Sequence, residues 1–227
     1  MQKIIFIHIP KAAGTSFKAM VDKNYDKEKI FPYSDLSQFD VKDIPKYLEQ
    51  YDVFMGHFNY QIFPKYAKKD MGFKMITFLR DPIERVYSEY HYYQRFTREH
   101  AEKVGDIAKI VKDCGSLESY INSAEFPAMF RNTNLQAKYY VEKILGDANY
   151  AGDVDLLNKA KIALDEMDFV GTAEMFEAST DLIEKKFSLN LGKLDKKLNS
   201  TSEAVFGSNL DITYDPDFKD MEVIEME

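Results

Sequence analysis

The sequence predicts an α/β fold of three layers, with helices on both faces of a mostly parallel central sheet. Four short apolar runs are typical of buried strands, and they lie at about residues 3–9, 52–58, 73–79 and 168–172. Each run is followed, directly or after a loop, by a segment with helical spacing, and this alternation favours a parallel sheet. Ligands of such sheets bind beside the carboxyl ends of the strands. Chemically useful side chains are therefore expected at those ends.

Length and composition indicate one globular domain covering residues 1–227, with a core of about 1–190 and a polar, acidic segment at 191–227. A net charge of −8 argues against non-specific nucleic-acid binding. The single Cys114 fits a reducing compartment, and no apolar run is long enough to span a membrane. We predict a cytoplasmic location; the lumen of the Golgi, for a chain separated from a membrane anchor, stays open.

The first candidate site follows the first strand. Pro10 ends that strand, Lys11 adds a positive charge, and the next helix is expected to begin near Thr15 and Ser16, which occupy capping positions. Small residues between them let another group approach the backbone: Ala12, Ala13 and Gly14. Backbone N–H groups at a helix N-terminus attract phosphate or sulfate. The loop lacks the Walker A pattern, because Gly14 stands where that pattern requires a lysine.

Two further strand ends carry polar residues. His57 follows the second strand, and Arg80 ends the third. Asp81 and Pro82 are expected to begin a helix that reaches Tyr93 and continues to Val104, with Ser88 on its second turn. An arginine and a hydroxyl suit a second phosphate. The alternative, an ion pair between Arg80 and Asp81 with Ser88 in solvent, stays open. His91 and His100 are expected in solvent.

Two segments together resemble a known family. The run His8-Ile-Pro-Lys-Ala-Ala-Gly-Thr-Ser16 is similar to the 5′-phosphosulfate loop of sulfotransferases that use 3′-phosphoadenosine 5′-phosphosulfate (PAPS), specifically the carbohydrate 2-O-sulfotransferase-like group. Arg80-Asp-Pro-Ile-Glu-Arg-Val-Tyr-Ser-Glu-Tyr90 resembles their 3′-phosphate motif, and Asp168–Glu174 resembles a third block. The resemblance implies a P-loop-like fold and transfer of a sulfuryl group from PAPS to a hydroxyl, leaving 3′-phosphoadenosine 5′-phosphate (PAP). It requires no metal.

The resemblance also implies a role for each matching residue. Lys11 would contact the sulfuryl group, and His57 would take the proton from the acceptor hydroxyl. Arg80 and Ser88 would hold the 3′-phosphate. The 5′-phosphate would be held by the backbone of one run, with two hydroxyls: Ala12, Ala13, Gly14, Thr15 and Ser16. Asn134 and Gln136 fall where relatives have polar residues facing acceptor or cofactor. The implied acceptor is a carbohydrate or glycolipid hydroxyl, and the oligomeric state is left open.

Two departures from the family pattern keep alternatives open. Ala12 stands where relatives have a threonine, and the C-terminal segment that covers the nucleotide is short; Asn199–Ser202, after Lys196 and Lys197, is the candidate for that contact. One alternative is therefore a non-catalytic relative that binds a nucleotide. The other is a P-loop-like nucleotide kinase, which the absence of a Walker lysine disfavours.

Overall fold

A computed structural model of the chain describes residues 1–32, 41–56, 71–123, 134–147 and 149–194. Several predicted features lie outside these residues. They are the base His57, the polar run at 199–202 with its two preceding lysines, and the acidic end of the chain.

The described strands form one parallel sheet, as the sequence predicts. They are β1 (Lys3–Ile7), β2 (Val53–Gly56), β3 (Phe73–Leu79) and β4 (Phe169–Thr172), and their order is β2-β1-β3-β4. The last residue of β1, Ile7, is in register with Gly56 on one side and with Thr77 on the other. The chain passes from β1 to β2 on one side and then to β3 on the other. The strand order therefore reverses between β1 and β3, which is where ligands bind in open α/β sheets.

Nine α-helices lie within the described residues: α1 (Gly14–Asn24), α2 (Ile44–Gln50), α3 (Pro82–Gln94), α4 (Arg98–Val104), α5 (Asp106–Cys114), α6 (Leu117–Ile121), α7 (Leu135–Tyr140), α8 (Asp153–Asp165) and α9 (Phe176–Phe187). The α7 helix continues as a π-helix over Val141–Leu145, and Gly146 ends it in the left-handed conformation. In this part of the chain no helix is both long and apolar enough to cross a membrane.

Helices cover both faces of the sheet, because alternate strand residues point to opposite sides. On one face, Ile5 and Ile7 pack with residues of α2, α7 and α8. On the other face, Ile4 and Phe6 pack with residues of α1 and α9. This is the predicted three-layer arrangement, and strands buried on both faces explain why the apolar runs are nearly continuous.

Residues 86–123 form a compact unit of their own, separate from the unit that contains the sheet. Its core is built from α3 to α6 and is rich in aromatic side chains, including Tyr90, Tyr93, Phe96 and Tyr120. The prediction of a continuous helix to Val104 is wrong. The hydroxyl of Thr97 accepts a hydrogen bond from the His100 N–H and begins α4 separately.

The prediction that His100 lies in solvent is also wrong. Its side chain is only 7% exposed, and its ring packs edge-on against Phe96 with 4.7 Å between centroids. His91 is half-buried rather than solvated, with its ring 4.2 Å from that of Tyr87. Apolar burial in this unit therefore extends to its histidines.

Candidate functional site

The loop between β1 and α1 has an unusual backbone. Lys11 and Ala13 both have positive φ angles, 67° and 59°, which non-glycine residues rarely adopt. Ala13 is the N-cap of α1, and no side chain caps this helix. The prediction that Thr15 and Ser16 cap it is therefore wrong, because both lie within the first turn. The first helical hydrogen bond runs from the Phe17 N–H to the Ala13 carbonyl at 3.0 Å.

This geometry leaves the start of α1 suited to an anion. The N–H groups of Gly14, Thr15 and Ser16 precede the first helical hydrogen bond, so they have no acceptor within the helix. They lie at the positive end of the helix dipole. Backbone held in a strained conformation is frequent at functional sites, and the left-handed Ala13 directly precedes these three amides.

Gly14 is required by the packing of His8. A Cβ atom at position 14 would lie 1.9 Å from the Nε2 atom of His8, much closer than any real contact. The His8 imidazole is buried, and its ring lies 5.8 Å from that of Phe6. His8 therefore forms a wall behind the helix start, and the absent side chain of Gly14 makes room for it.

Ala12 faces the core. Its side chain is 1% exposed and packs among the apolar residues of α2 and α7. Its N–H donates to the Ile9 carbonyl at 3.2 Å, which closes a turn. A hydroxyl on this side chain would point into apolar surroundings. Ala12 is one of the five residues expected to hold a phosphate through their backbone, but its amide already donates to the Ile9 carbonyl.

The end of β3 is organised differently. The carboxylate of Asp81 accepts hydrogen bonds from the N–H groups of Ile83 (2.9 Å) and Glu84 (3.0 Å), which caps α3 as the sequence predicts. The Asp81 carboxylate is therefore occupied by the helix. The guanidinium of Arg80 lies 3.5 Å from the carboxylate of Glu84. The local pair in the structure is thus Arg80–Glu84, in place of the alternative Arg80–Asp81 pair.

Arg80 joins the two candidate segments. Its Nη1 atom donates to the backbone carbonyl of Lys11 at 3.3 Å. The two residues are 69 positions apart in the sequence, and they meet because β1 and β3 are neighbours in the sheet. The guanidinium of Arg80 thus lies against the backbone of the loop that precedes α1, where the strand order reverses, and a guanidinium beside a helix start suits a ligand with more than one negative charge.

Two side chains from elsewhere hold the backbone after β3. Gln136 of α7 accepts from the Arg80 N–H at 2.9 Å and donates to the Arg80 carbonyl at 2.6 Å. Glu174, after β4, accepts from the Asp81 N–H at 2.9 Å. Asn134 donates to Asp153 at 3.0 Å. Asn134 and Gln136, expected to face acceptor or cofactor, are thus bonded to the protein itself.

A buried hydrogen-bond chain lies beneath the loop. The Tyr140 hydroxyl donates to Thr77 at 2.7 Å, and the Thr77 hydroxyl donates to the Ile7 carbonyl at 3.0 Å. Tyr140 is fully buried, and this desolvation raises the pKa of its hydroxyl, so that it stays protonated as the donor. The chain ties α7 to both central strands directly below the candidate site.

An open cleft of about 410 Å³ adjoins the start of α1. Ser16 and Met20 form one wall, residues 173–178 with Thr180 and Asp181 form another, and Gly192–Leu194 close the third side. This volume lies within the range of roughly 300–1,000 Å³ that is typical of small-molecule sites. The residues after β4 and the described start of the C-terminal segment thus line a space beside the proposed phosphate donors.

Ser88 and His57 are the remaining predicted site residues. Ser88 is half-buried on the second turn of α3, in the aromatic unit. β2 ends at Gly56, in register with the end of β1, and His57, the next residue, lies outside the described part of the chain. Among the described side chains, no group of three His, Cys, Asp or Glu residues is arranged to hold a metal ion.

Residues 1–141 match a family model described as "Sulfotransferase family". An uncharacterized protein of Archaeoglobus fulgidus is 28% identical over 198 residues, which are 82% of this chain and 74% of that protein. The crystal structure of mouse sulfotransferase SULT7A1 complexed with PAP matches 85% of this chain with a TM-score of 0.43 and 18% identity. This chain spans 60% of the length of that mouse structure.

Proposed function

Because the chain belongs to the sulfotransferase family, we propose that it transfers the sulfuryl group of PAPS to an acceptor hydroxyl and releases PAP. One observation carries the proposal for this donor: Arg80 donates a hydrogen bond to the Lys11 carbonyl and so brings two anion-receiving segments together. PAPS presents two separate anionic groups, one at each side of its ribose. A nucleotide with a single anionic end would need only one of these segments.

The 5′-phosphosulfate would bind at the start of α1. Its donors would be the N–H groups of Ala13 to Ser16, with the hydroxyls of Thr15 and Ser16, while the engaged amide of Ala12 shapes the turn. The adenosine would extend into the cleft of about 410 Å³ that begins at Ser16. Gly192–Leu194 would then cover part of the nucleotide, which is the role predicted for the C-terminal segment.

The chemical step would be an in-line displacement. A bond forms between the acceptor oxygen and sulfur, the bond between sulfur and the bridging oxygen breaks, and the 5′-phosphate of PAP leaves with the negative charge. Lys11 would stabilise that charge, and His57 would take the acceptor's proton, since an imidazole titrates near neutral pH. Positioning and charge stabilisation supply most of the rate in such group transfers. These two roles rest on the resemblance.

The 3′-phosphate would be held by Arg80 and Ser88. The Arg80 side chain is about one-quarter exposed, so the guanidinium is accessible to a ligand while its backbone is held from two sides. Arginine suits this role because its planar fork matches two phosphate oxygens at once. The acceptor class, a carbohydrate or glycolipid hydroxyl, and a cytoplasmic location remain proposals drawn from the sequence.

Thermal unfolding in the presence of nucleotides tests the proposal. PAP at about 100 times its Kd should stabilise the fold by roughly 2.7 kcal/mol, which raises Tm by about 5–11 °C for a chain of this size. AMP, which lacks the 3′-phosphate, should have a smaller effect at equal concentration. Incubation with PAPS and candidate acceptors should then give a sulfated product.

The other outcomes separate the alternatives. Stabilisation by ATP with Mg²⁺ but not by PAP would replace the proposal with the nucleotide kinase. PAP binding without transfer to any acceptor would favour the non-catalytic relative. The buried Ala12 side chain weakens that alternative, since a hydroxyl at this position would face the core rather than the ligand.

A further inference from the structure

We propose that Gln136 is a positioning residue that gives the protein its preference for a donor with a 3′-phosphate. Gln136 does this by fixing the backbone of Arg80 from both sides: its side chain accepts from the Arg80 N–H and donates to the Arg80 carbonyl. The inference rests on the proposed function, because it concerns the residue that would bind the 3′-phosphate. It assigns Gln136 no contact with the donor itself.

The end of β3 needs such support. The ladder with β1 ends at Thr77 and the ladder with β4 ends at Leu79, so sheet pairing no longer holds the Arg80 backbone. The carboxamide of Gln136 satisfies both backbone groups of Arg80, as a neighbouring strand would do. Glu174 fixes the next amide, that of Asp81, at 2.9 Å. Two consecutive peptide groups are thus held by side chains from two different elements.

Gln136 is itself held firmly. It lies four residues before Tyr140 on α7, so both side chains lie on the same face of that helix. Tyr140 is anchored to β3 through Thr77, and Leu135 is buried in the core beneath the sheet. The helix thus contacts β3 at Thr77 and, just beyond the strand, the backbone of Arg80, so its position fixes the backbone from which the Arg80 side chain extends. Residues that orient a ligand-binding group in this way affect affinity without contacting the ligand.

The test compares two nucleotides in matched variants. Gln136→Met keeps the side-chain length and removes both hydrogen bonds. The control is Gln94→Met, since Gln94 is also a half-buried glutamine that joins two elements, donating to Val111 at 2.7 Å and Tyr90 at 3.0 Å. Affinities for PAP and AMP are measured by calorimetry. We expect Gln136→Met to lower the preference for PAP about tenfold, the low end of the effects of orienting residues. Gln94→Met should leave the preference unchanged.

A double variant shows whether Gln136 acts through Arg80. If it does, Gln136→Met should add no further loss of PAP affinity in an Arg80→Ala background. Equal weakening of PAP and AMP by Gln136→Met, or a full further loss in the double variant, would overturn the inference. If Gln136→Met does not fold, Gln136→Glu replaces it, since the glutamate retains the acceptor for the Arg80 N–H but loses the donor.

Failure of the proposed function would look different. A wild-type chain that binds PAP no better than AMP would contradict that proposal, whatever the variants do. Hydrogen exchange of the Arg80 amide then tests the positioning role without a nucleotide: we expect Gln136→Met to accelerate this exchange about tenfold by opening the local structure. Unchanged exchange in the variant would overturn the positioning role.

Discussion

The turns after β1 and β3 both lead from a strand into a helix, but they differ in whether a side chain caps that helix. In each, a buried parallel strand ends and a helix follows, beginning seven residues after the end of β1 and three residues after the end of β3. At α1 no side chain caps the helix, and the N-cap Ala13 is held in a left-handed conformation. At α3 the carboxylate of Asp81 occupies the amides of Ile83 and Glu84. The first turn therefore offers its backbone to an anion, and the second offers only the side chain of Arg80.

The comparison teaches how to judge a helix N-terminus as an anion site. Both α1 and α3 have a dipole directed at the same edge of the sheet, so the dipole alone does not distinguish them. What distinguishes them is whether the protein satisfies the first amides itself. Four variants test this difference between the starts of α1 and α3, beginning with the largest expected effect.

We call the turn before α1 the open turn, because no side chain occupies its first amides, and the turn before α3, which Asp81 caps, the closed turn. Gly14→Ala should damage the open turn most. The new methyl group would overlap the His8 imidazole, so we expect a loss of roughly 1–3 kcal/mol in unfolding free energy, as for overpacked sites. Displacement of the α1 start should also abolish PAP binding in calorimetry. Part of the lost stability should return in a His8→Ala background. As a control, Gly72→Ala is strained by its positive φ alone, because no atom lies within 4 Å of a Cβ atom at position 72, and His8→Ala should not rescue it.

Ala13→Asp should close the open turn. It places a carboxylate beside the amides of Gly14 to Ser16, where the 5′-phosphate is expected, and we expect PAP affinity to fall roughly 100-fold by loss of charge-assisted hydrogen bonds. The melting temperature should not fall, since an acidic residue stabilises a helix start. Ala13→Asn tolerates the left-handed conformation without a charge and serves as the control. Equal affinities for the two variants would contradict the open-turn assignment.

Asp81→Ala should open the closed turn. Loss of the cap should cost about 1 kcal/mol in unfolding free energy, measured by urea denaturation. Asp81→Asn keeps an acceptor oxygen and should lose less. Because Arg80 remains held by Gln136, the preference for PAP over AMP should change by less than about threefold. A collapse of that preference would mean that the cap, rather than Gln136, positions Arg80.

Glu84→Gln should produce the smallest effect. The Glu84 carboxylate lies 3.5 Å from the Arg80 guanidinium and is 58% exposed, so it competes only weakly with a bound phosphate. We expect PAP affinity to rise about two- to threefold at low salt, with the gain vanishing at high salt as the charges are screened. AMP affinity should stay the same. A fall in PAP affinity would mean that Glu84 orients Arg80 productively.

Much of the fold could be predicted because its signals are local. The strand Phe73–Leu79 was predicted with the observed bounds. Asp81, Ser116 and Gly146 cap or end helices as their residue types suggest. The break before α4 was missed because the aromatic run up to Phe96 keeps its helical spacing, and only Thr97 signals a new start.

The site was less predictable because its contacts are distant or unusual. No propensity predicts a left-handed alanine, so the true N-cap at Ala13 was missed and Thr15 was preferred. Gln136 and Arg80, which are joined by two hydrogen bonds, lie 56 residues apart in the sequence, and no spacing rule connects them. The burial of the Ala12 methyl also depends on the position of α7. The only sequence signal for the contact between Gln136 and Arg80 was a polar residue at the start of a helix.

The long separation between the parts of this site has a consequence for synthesis of the chain. Lys11 leaves the ribosome first, Arg80 follows 69 residues later, and Gln136 comes 56 residues after that. At roughly 5–20 residues per second, the nascent chain waits about 3–11 s between the last two. During that interval the loop after β1 and Arg80 have both been synthesised, but the Arg80 backbone lacks its hydrogen bonds to Gln136. A stalled chain that ends before Gln136 lacks these hydrogen bonds and also residues 173–194, which line the cleft, so we expect it to bind PAP no better than AMP; discrimination should appear only after both have been synthesised.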